Sequence, residues 1–253
     1  MRLKIKAISL IVLMLILIGV GSGFASEITG KKILDKAETS MDYGHFKGKS
    51  KMIIYTTSGD KRVLKMKMWG KGTEKSMMKY YAPSRVEGVA FLYFSNDIWS
   101  YFPRTGRTRH LASHIKNQKM MGSSFNYEDF SNDIFDDYQG KLIKEERFKE
   151  KKCYVVKAKA KNETTAYDQY IAWITKEEFT PLKIDYYNKG RKIKEMRVKA
   201  FLNINEDIKV KKMVMKDLRE DDKTVFKYSE IKTGVNFRPN FFHKRNLERI
   251  SHR

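Results

Sequence analysis

Apolar positions along this chain recur in two rhythms. Leu34, Ala37 and Met41 fall at helical spacing, and Gly44 supplies a stop. That predicts one amphipathic helix from about Thr29 to Met41 with a single apolar stripe. From there the period changes to two. Met52 and Ile54 alternate with polar neighbours, the turn Ser58-Gly59-Asp60 follows, and Leu64, Met66 and Met68 alternate with Lys65 and Lys67. This is a hairpin with one wet face and one apolar face. A third strand ends at Pro83. Gly88 to Ser95 and Ile98 to Phe102 form another hairpin across Asn96-Asp97, and Arg107 to Leu111 adds a short strand.

At Asn126 the rhythm turns helical again. Tyr127, Phe130, Ile134, Phe135 and Tyr138 fit one helix face, with Asn126 as cap and Glu128 and Asp129 in the first turn. Beyond Gly140 the pattern predicts only strands: LIKEERF, KCYVVKAKA, DQYIAWIT, PLKIDYY, KIKEMRVKAFL, KVKKMVMKDL and TVFKYSEI, joined by short turns. Roughly a dozen antiparallel strands and two helices make one mainly β (α+β) domain. A long sheet with one apolar face curls to hide it. The expected shape is a single half-open antiparallel β-barrel, with the N-terminal helix and the mid-chain helix packed over its concave face.

The first residues change the cellular setting. Arg2, Lys4 and Lys6 precede an apolar run from Ala7 to Val20, and Gly23 and Ala25 are small residues suited to cleavage. This predicts a signal peptide over 1–25, cut near Ala25, and one domain over 26–253. The run is shorter than the ~20 residues of a spanning helix. The one cysteine, Cys153, rules out an internal disulfide and reads as a buried thiol. The formal net charge of +22 acts on partners rather than on the fold. With no nucleic-acid motif in an exported chain, anionic lipid, a membrane surface or an acidic protein fits better than nucleic acid.

Candidate chemistry is sparse. His110 and His114, and Asp129, Asp133 and Asp137, are spaced by four, but no metal motif surrounds them. There is no GxSxG elbow and no P-loop. The sequence therefore predicts no enzyme, no metal and no cofactor. Thirteen methionines, several alternating along strands, fit either a soft ligand-lining interior or ordinary gap-filling. Phe91, Phe94, Trp99, Tyr101 and Phe102 can likewise line a cavity or build a plain core. The acids Glu128, Asp129, Asp133, Asp136 and Asp137 fit a lid pairing with basic strands or a solvated face. The end of the chain, FRPNFFHKRNLERISHR, reads as a last strand with a frayed basic end, or as a tail lying on an anionic surface.

The stretch from Pro83 to Phe130 carries more than periodicity. Pro83, Gly88 with Phe91-Leu92, Asp97-Ile98-Trp99 with Tyr101 and Pro103, Arg107, Met121-Gly122-Ser123 with Phe125, and Tyr127-Glu128-Asp129 together resemble the outer-membrane lipoprotein-sorting protein family. These are exported relatives of the periplasmic lipoprotein carrier LolA. The chain departs from that pattern at Val89, Ser124 and Asn188. The resemblance implies a half-open barrel carrying lipoprotein acyl chains or phospholipid across the periplasm, alongside a resistance-nodulation-division-type export pump.

Joined to the residue pattern, it yields a specific expectation. Met52, Ile54, Leu64, Met66, Met68, Phe91, Phe94, Trp99, Tyr101 and Phe102 would line the apolar cavity. Met121, Gly122, Phe125, Tyr127, Phe130 and Ile134 would form a lid, with Gly122 as hinge because glycine accepts backbone angles other residues resist. Arg104, Arg107 and Arg109 would form a basic mouth. Partners would be an inner-membrane transporter, an outer-membrane acceptor and, transiently, a membrane surface. The competing reading is a non-carrying envelope sensor or adaptor that uses the same fold to bind a membrane or pump protein.

Overall fold

The structure, a computed structural model, describes residues 28–95, 97–131 and 134–251. The expected signal peptide, Asn96 and Asp133 lie outside these residues. Helix α1 runs over Gly30–Met41. Strands β1 (His45–Tyr55), β2 (Lys61–Lys71), β3 (Lys75–Ala82), β4 (Ala90–Phe94), β5 (Asp97–Phe102) and β6 (Arg107–His110) follow. After the four-residue helix α2 (Ser113–Lys116) come β7 (Tyr138–Phe148), β8 (Lys151–Ala160), β9 (Gln169–Thr175) and β10 (Pro181–Asn188). The last strands are β11 (Arg191–Ile204), β12 (Asp207–Asp217) and β13 (Asp222–Thr233), and helix α3 spans Arg245–Ser251.

All thirteen strands form one antiparallel sheet in the order β6-β5-β4-β3-β2-β1-β13-β12-β11-β10-β9-β8-β7. The chain builds outward from β1 to one edge at β6, crosses to the far edge at β7, and returns to seal against β1 with β13. The sheet is open, since β6 and β7 are its two ends. Period-two alternation sends one side chain of each pair inward. In β2, Leu64, Met66 and Met68 are buried while Lys65 and Lys67 stay partly exposed. The inward residues of the strands on both sides of β1 meet in one apolar cluster, so the sheet wraps around it.

Helix α1 lies in that concavity against β7, β8 and β12. Thr29 caps it by accepting from the Lys32 N–H at 3.3 Å, and Ile33, Leu34 and Ala37 form its buried stripe. The helix start and β7 touch backbone to backbone. A Cβ on Gly30 would sit 2.6 Å from the Gly140 carbonyl group, so only glycine fits there.

Two expectations fail here. The segment from Asn126 to Tyr138 is not a helix. Among its described residues it contains one 3-10 turn, Glu128–Phe130, and Tyr138 already belongs to β7. Asp129 does accept from the Asn126 N–H (2.7 Å), as at a helix start, but it also accepts from the Tyr167 hydroxyl (3.0 Å), and Glu128 accepts from the Ala166 N–H (2.9 Å). Tertiary bonds to the side chain outweigh a weak local helix preference. The chain end is not a frayed strand either. Helix α3 packs on β4, β5 and β6 with Leu247 fully buried.

Gly30→Ala should cost about 1–3 kcal/mol, because the new methyl meets backbone that cannot yield. At ~2–4 °C per kcal/mol for a domain of this size, the thermal midpoint should fall by several degrees. Lys31→Ala, on the exposed side of α1, should shift it by about a degree or less. Thermal melts of the two variants check this.

Candidate functional site

The concave face is the largest apolar surface of the fold. Met52, Ile54, Leu64, Met66, Met68 and Phe91 are all buried in its cluster, and Phe102 packs against it. Tyr80, Tyr93 and Ile98 join them, as period two requires. Phe94, Trp99 and Tyr101 do not, which corrects their expected place. Tyr101 lies on the convex face in a separate cluster with Met77, Ala90, Leu92 and Leu247, and Trp99 packs against that cluster. Phe94 is 43% exposed, with the Lys75 ammonium 4.3 Å from its ring centroid. The continuous apolar run of β4 signalled this arrangement, because it marks a strand covered on both faces.

The concave face is closed by the segment that crosses from β6 to β7, described over residues 111–131 and 134–137. Met120 and Phe125 are buried in the cluster, and Met121, Tyr127, Phe130 and Ile134 pack against it. The Tyr127 ring lies 5.4 Å from Phe91, and Phe130 lies 5.5 Å from Phe226. Gly122 sits at φ +70° beside Met121 at φ +51°, a left-handed pair that reverses the chain.

Side-chain bonds, not a strand ladder, hold most of this segment down. The Ser124 N–H donates to Thr224 Oγ1 at 2.8 Å, and Arg62 Nη2 donates to the Gly122 carbonyl at 2.9 Å. Lys119 pairs with Glu220 at 2.7 Å and Asp222 at 3.1 Å, with Asp217 at 3.5 Å. Fully buried Lys194 donates to Asn126 Oδ1 at 2.7 Å, and the Tyr167 hydroxyl donates to Asp129 at 3.0 Å. The signal for Lys194 was a lysine at a position whose period-two phase is otherwise apolar. Lys194 shares the inward phase of Met196 and Val198 along β11, and the register shift at Ile193 falls on its other side, between Lys194 and Lys192.

Burial dominates the electrostatics of the clasp. It lowers the Lys194 ammonium, with Asp129 and then Asp217 opposing the shift. It raises Asp129, opposed by Lys194, and raises Glu128 to about 7, opposed by the Ala166 N–H. These two acids therefore face inward, while Asp136 is exposed.

An apolar cavity of about 90 Å³ lies among Met41, Tyr43, Met196, Val198, Met213 and Tyr228. That is well below the ~300–1,000 Å³ of a typical ligand pocket. Arg104, Arg107 and Arg109 are exposed at the β6 edge. Pairing with Phe102 and Ser100 puts Arg107 and Arg109 on the concave side. His110 pairs instead with Asp97 at 2.7 Å on the same edge.

A carboxyl raised by folding binds more protons in the native state than in the unfolded one. Its stabilising effect is complete below the ordinary value and is lost as pH rises through the folded one. Thermal stability should therefore fall between about pH 4.5 and 7 as Glu128 ionises. Glu128→Gln should flatten that part of the profile, which melts across the range will show.

Comparisons give this arrangement its relatives. A domain from Vibrio parahaemolyticus, described as an outer membrane lipoprotein-sorting protein domain, superposes with a TM-score of 0.79 at 23% identity, covering 87% of this chain and 98% of that one. A LolA superfamily protein from Nitrosomonas europaea gives 0.74 at 22%, covering 86% and 99%. A DUF1329 family protein from Desulfovibrio piger gives 0.77 at 24%, covering 87% and 99%. No curated protein matches the chain. A family model described as an uncharacterized protein matches residues 72–249. The chain belongs to that family, and its fold is the open sheet of the LolA-like, lipoprotein-sorting structures.

Proposed function

We propose that this protein is an exported carrier that holds acyl chains of lipoproteins or phospholipids on its concave face and moves them across the periplasm. The observation that carries the reading is the contrast between the concave face and its cover. The face is continuous, apolar and rich in methionine, whereas the cover is irregular chain fastened by side chains. Such a cover can leave without breaking the sheet. Each buried methylene of a ligand contributes about 0.8 kcal/mol. The apolar contacts of Phe125, Tyr127 and Phe130 that it displaces offset part of that gain, so the ligand is held and can still be released.

In this reading Met121-Gly122 is the hinge, and Arg104, Arg107 and Arg109 meet an anionic head group at the mouth. The chain would receive its cargo from an inner-membrane transporter and yield it to an outer-membrane acceptor, alongside a resistance-nodulation-division-type pump. Fold relatives described as lipoprotein-sorting proteins support the carrier role, and the basic, apolar N-terminal residues support export. The small interior cavity favours a second reading, an adaptor that binds a membrane or pump protein and carries nothing. Native mass spectrometry of protein purified from its own envelope separates the two. Co-purified phospholipid or acylated protein supports the carrier. An empty chain with a protein partner supports the adaptor.

The cover can also be locked. Ser124 and Thr224 face each other with hydroxyl oxygens 3.1 Å apart. The double variant Ser124→Cys, Thr224→Cys should form a disulfide tying the crossing segment to β13. Oxidised protein should lose binding of a fluorescent fatty acid, and reduction should restore it. Undiminished binding by the oxidised form would remove the lid from the account.

A further inference from the structure

The other side of the sheet has an order of its own. Across β12, β13, β1 and β2 the register places Lys212 opposite Lys227, Lys227 opposite Lys51, and Lys51 opposite Lys65. This row of four lysines has no acidic member. Beside it, Lys79 lies opposite Lys67 and Lys67 opposite Lys49, and the row ends on Glu230. On the other flank Lys216 lies opposite Lys223, and Tyr55 lies between Lys223 and Lys61.

Like charges directly opposite each other across a sheet destabilise it. Burial and, next, the Lys67 charge push the Lys79 ammonium below its ordinary value. Between the first and last of these rows runs an aliphatic one: Val214, Val225, Ile53 and Val63. These four are partly exposed and stand outside the interior cluster. The longer helices pack elsewhere, α1 in the concavity and α3 over β4 to β6. Next to the lysine rows, a hollow of about 410 Å³ is lined by Lys47, Lys67, Trp69 and Lys232 among others.

We propose that the convex face of β12-β13-β1-β2 is a docking surface for an anionic phospholipid bilayer. A plane of alternating cationic and aliphatic rows matches a membrane surface, where head-group charge and acyl boundary lie within a few ångströms of each other. The cations of these rows are all lysines. Lysine acts as a diffuse point charge, whereas discrete phosphate or carboxylate recognition favours the bidentate fork of arginine. Trp69 at the rim, packed against Phe241 and partly exposed, places an amphipathic ring of the kind common at membrane interfaces beside the rows. The geometry leaves the concave face pointing away from the bilayer, so it does not depend on what that face holds.

Protein recovered after export from cells expressing the full chain is tested by co-sedimentation with vesicles. One set contains phosphatidylglycerol and phosphatidylcholine in about equal parts, the other phosphatidylcholine alone. The wild type should bind the anionic vesicles at about 0.05 M salt, lose most of that binding at about 0.5 M, and ignore the neutral ones. The variant Lys51→Gln, Lys65→Gln, Lys212→Gln, Lys227→Gln should bind at least tenfold more weakly, since each lysine near such a surface contributes several-fold. It should melt no lower than wild type, because it removes repulsion, and so distinguishes lost binding from lost folding. Lys31→Gln, Lys32→Gln, Lys36→Gln, which removes exposed charges of α1, should retain wild-type vesicle binding. Equal binding to both vesicle types, unchanged binding by the lysine variant, or tighter binding to an acidic polypeptide or an oligonucleotide than to the vesicles would overturn the proposal. Fatty-acid uptake by the lysine variant, measured in parallel, keeps the outcome separate from the carrier reading.

Discussion

An antiparallel sheet that wraps an apolar interior without closing must cover that interior with something other than its own strands. Everything else in this molecule answers to that constraint. With β6 and β7 as free edges, the chain between them has to cross the gap. The same crossing delivers Met120, Phe125, Tyr127 and Phe130 onto the open face. A closed barrel would need no such segment. Helix α1 covers the other part, and its close fit at Gly30 and Gly140 makes it the fixed half of the cover.

The crossing segment is fastened differently, and the difference has energetic meaning. A strand ladder or a helix stripe shares its stability among many equivalent bonds. Here a few polar groups do most of the holding, and several are charges taken out of water. Removing one partner of such a group leaves the other buried and uncompensated, which is costly. Lys194, Asn126, Asp129 and Tyr167 are therefore coupled, so the segment should come and go as a unit rather than fray. Glu128, raised to about 7, makes the fastening sensitive to pH near neutrality.

Most of the scaffold was legible because period-two alternation is a local signal. Almost every strand run read from the sequence is a strand, and α1 lies within a residue of its expected span. The failures occurred where tertiary contacts overrule local pattern. Tyr127, Phe130, Ile134 and Tyr138 do face the interior, as their spacing suggested, but irregular chain reached that result without a helix. Lys194 was overlooked because a lysine in the inward phase of Met196 and Val198 reads as an interruption of the pattern until its buried partner Asn126 is seen. Trp99 and Tyr101 were misplaced because an apolar residue on a strand does not declare which face is covered, and α3, which covers theirs, has a single fully buried residue to announce it.

The two faces of the sheet are not independent choices. In LKMKMW, Leu64, Met66 and Met68 build the interior while Lys65 and Lys67 build the convex rows. A slip of one residue would turn lysines into the core and methionines to water, so one register sets both surfaces at once. That strictness lets a protein of net charge +22 keep an apolar interior. The cationic rows also explain why the interior must be well packed. Repulsion across β12, β13, β1 and β2 works against the sheet at each lysine pair. The burial of Met52, Ile54, Met66 and Phe226 on the reverse of the same strands is what holds those pairs together.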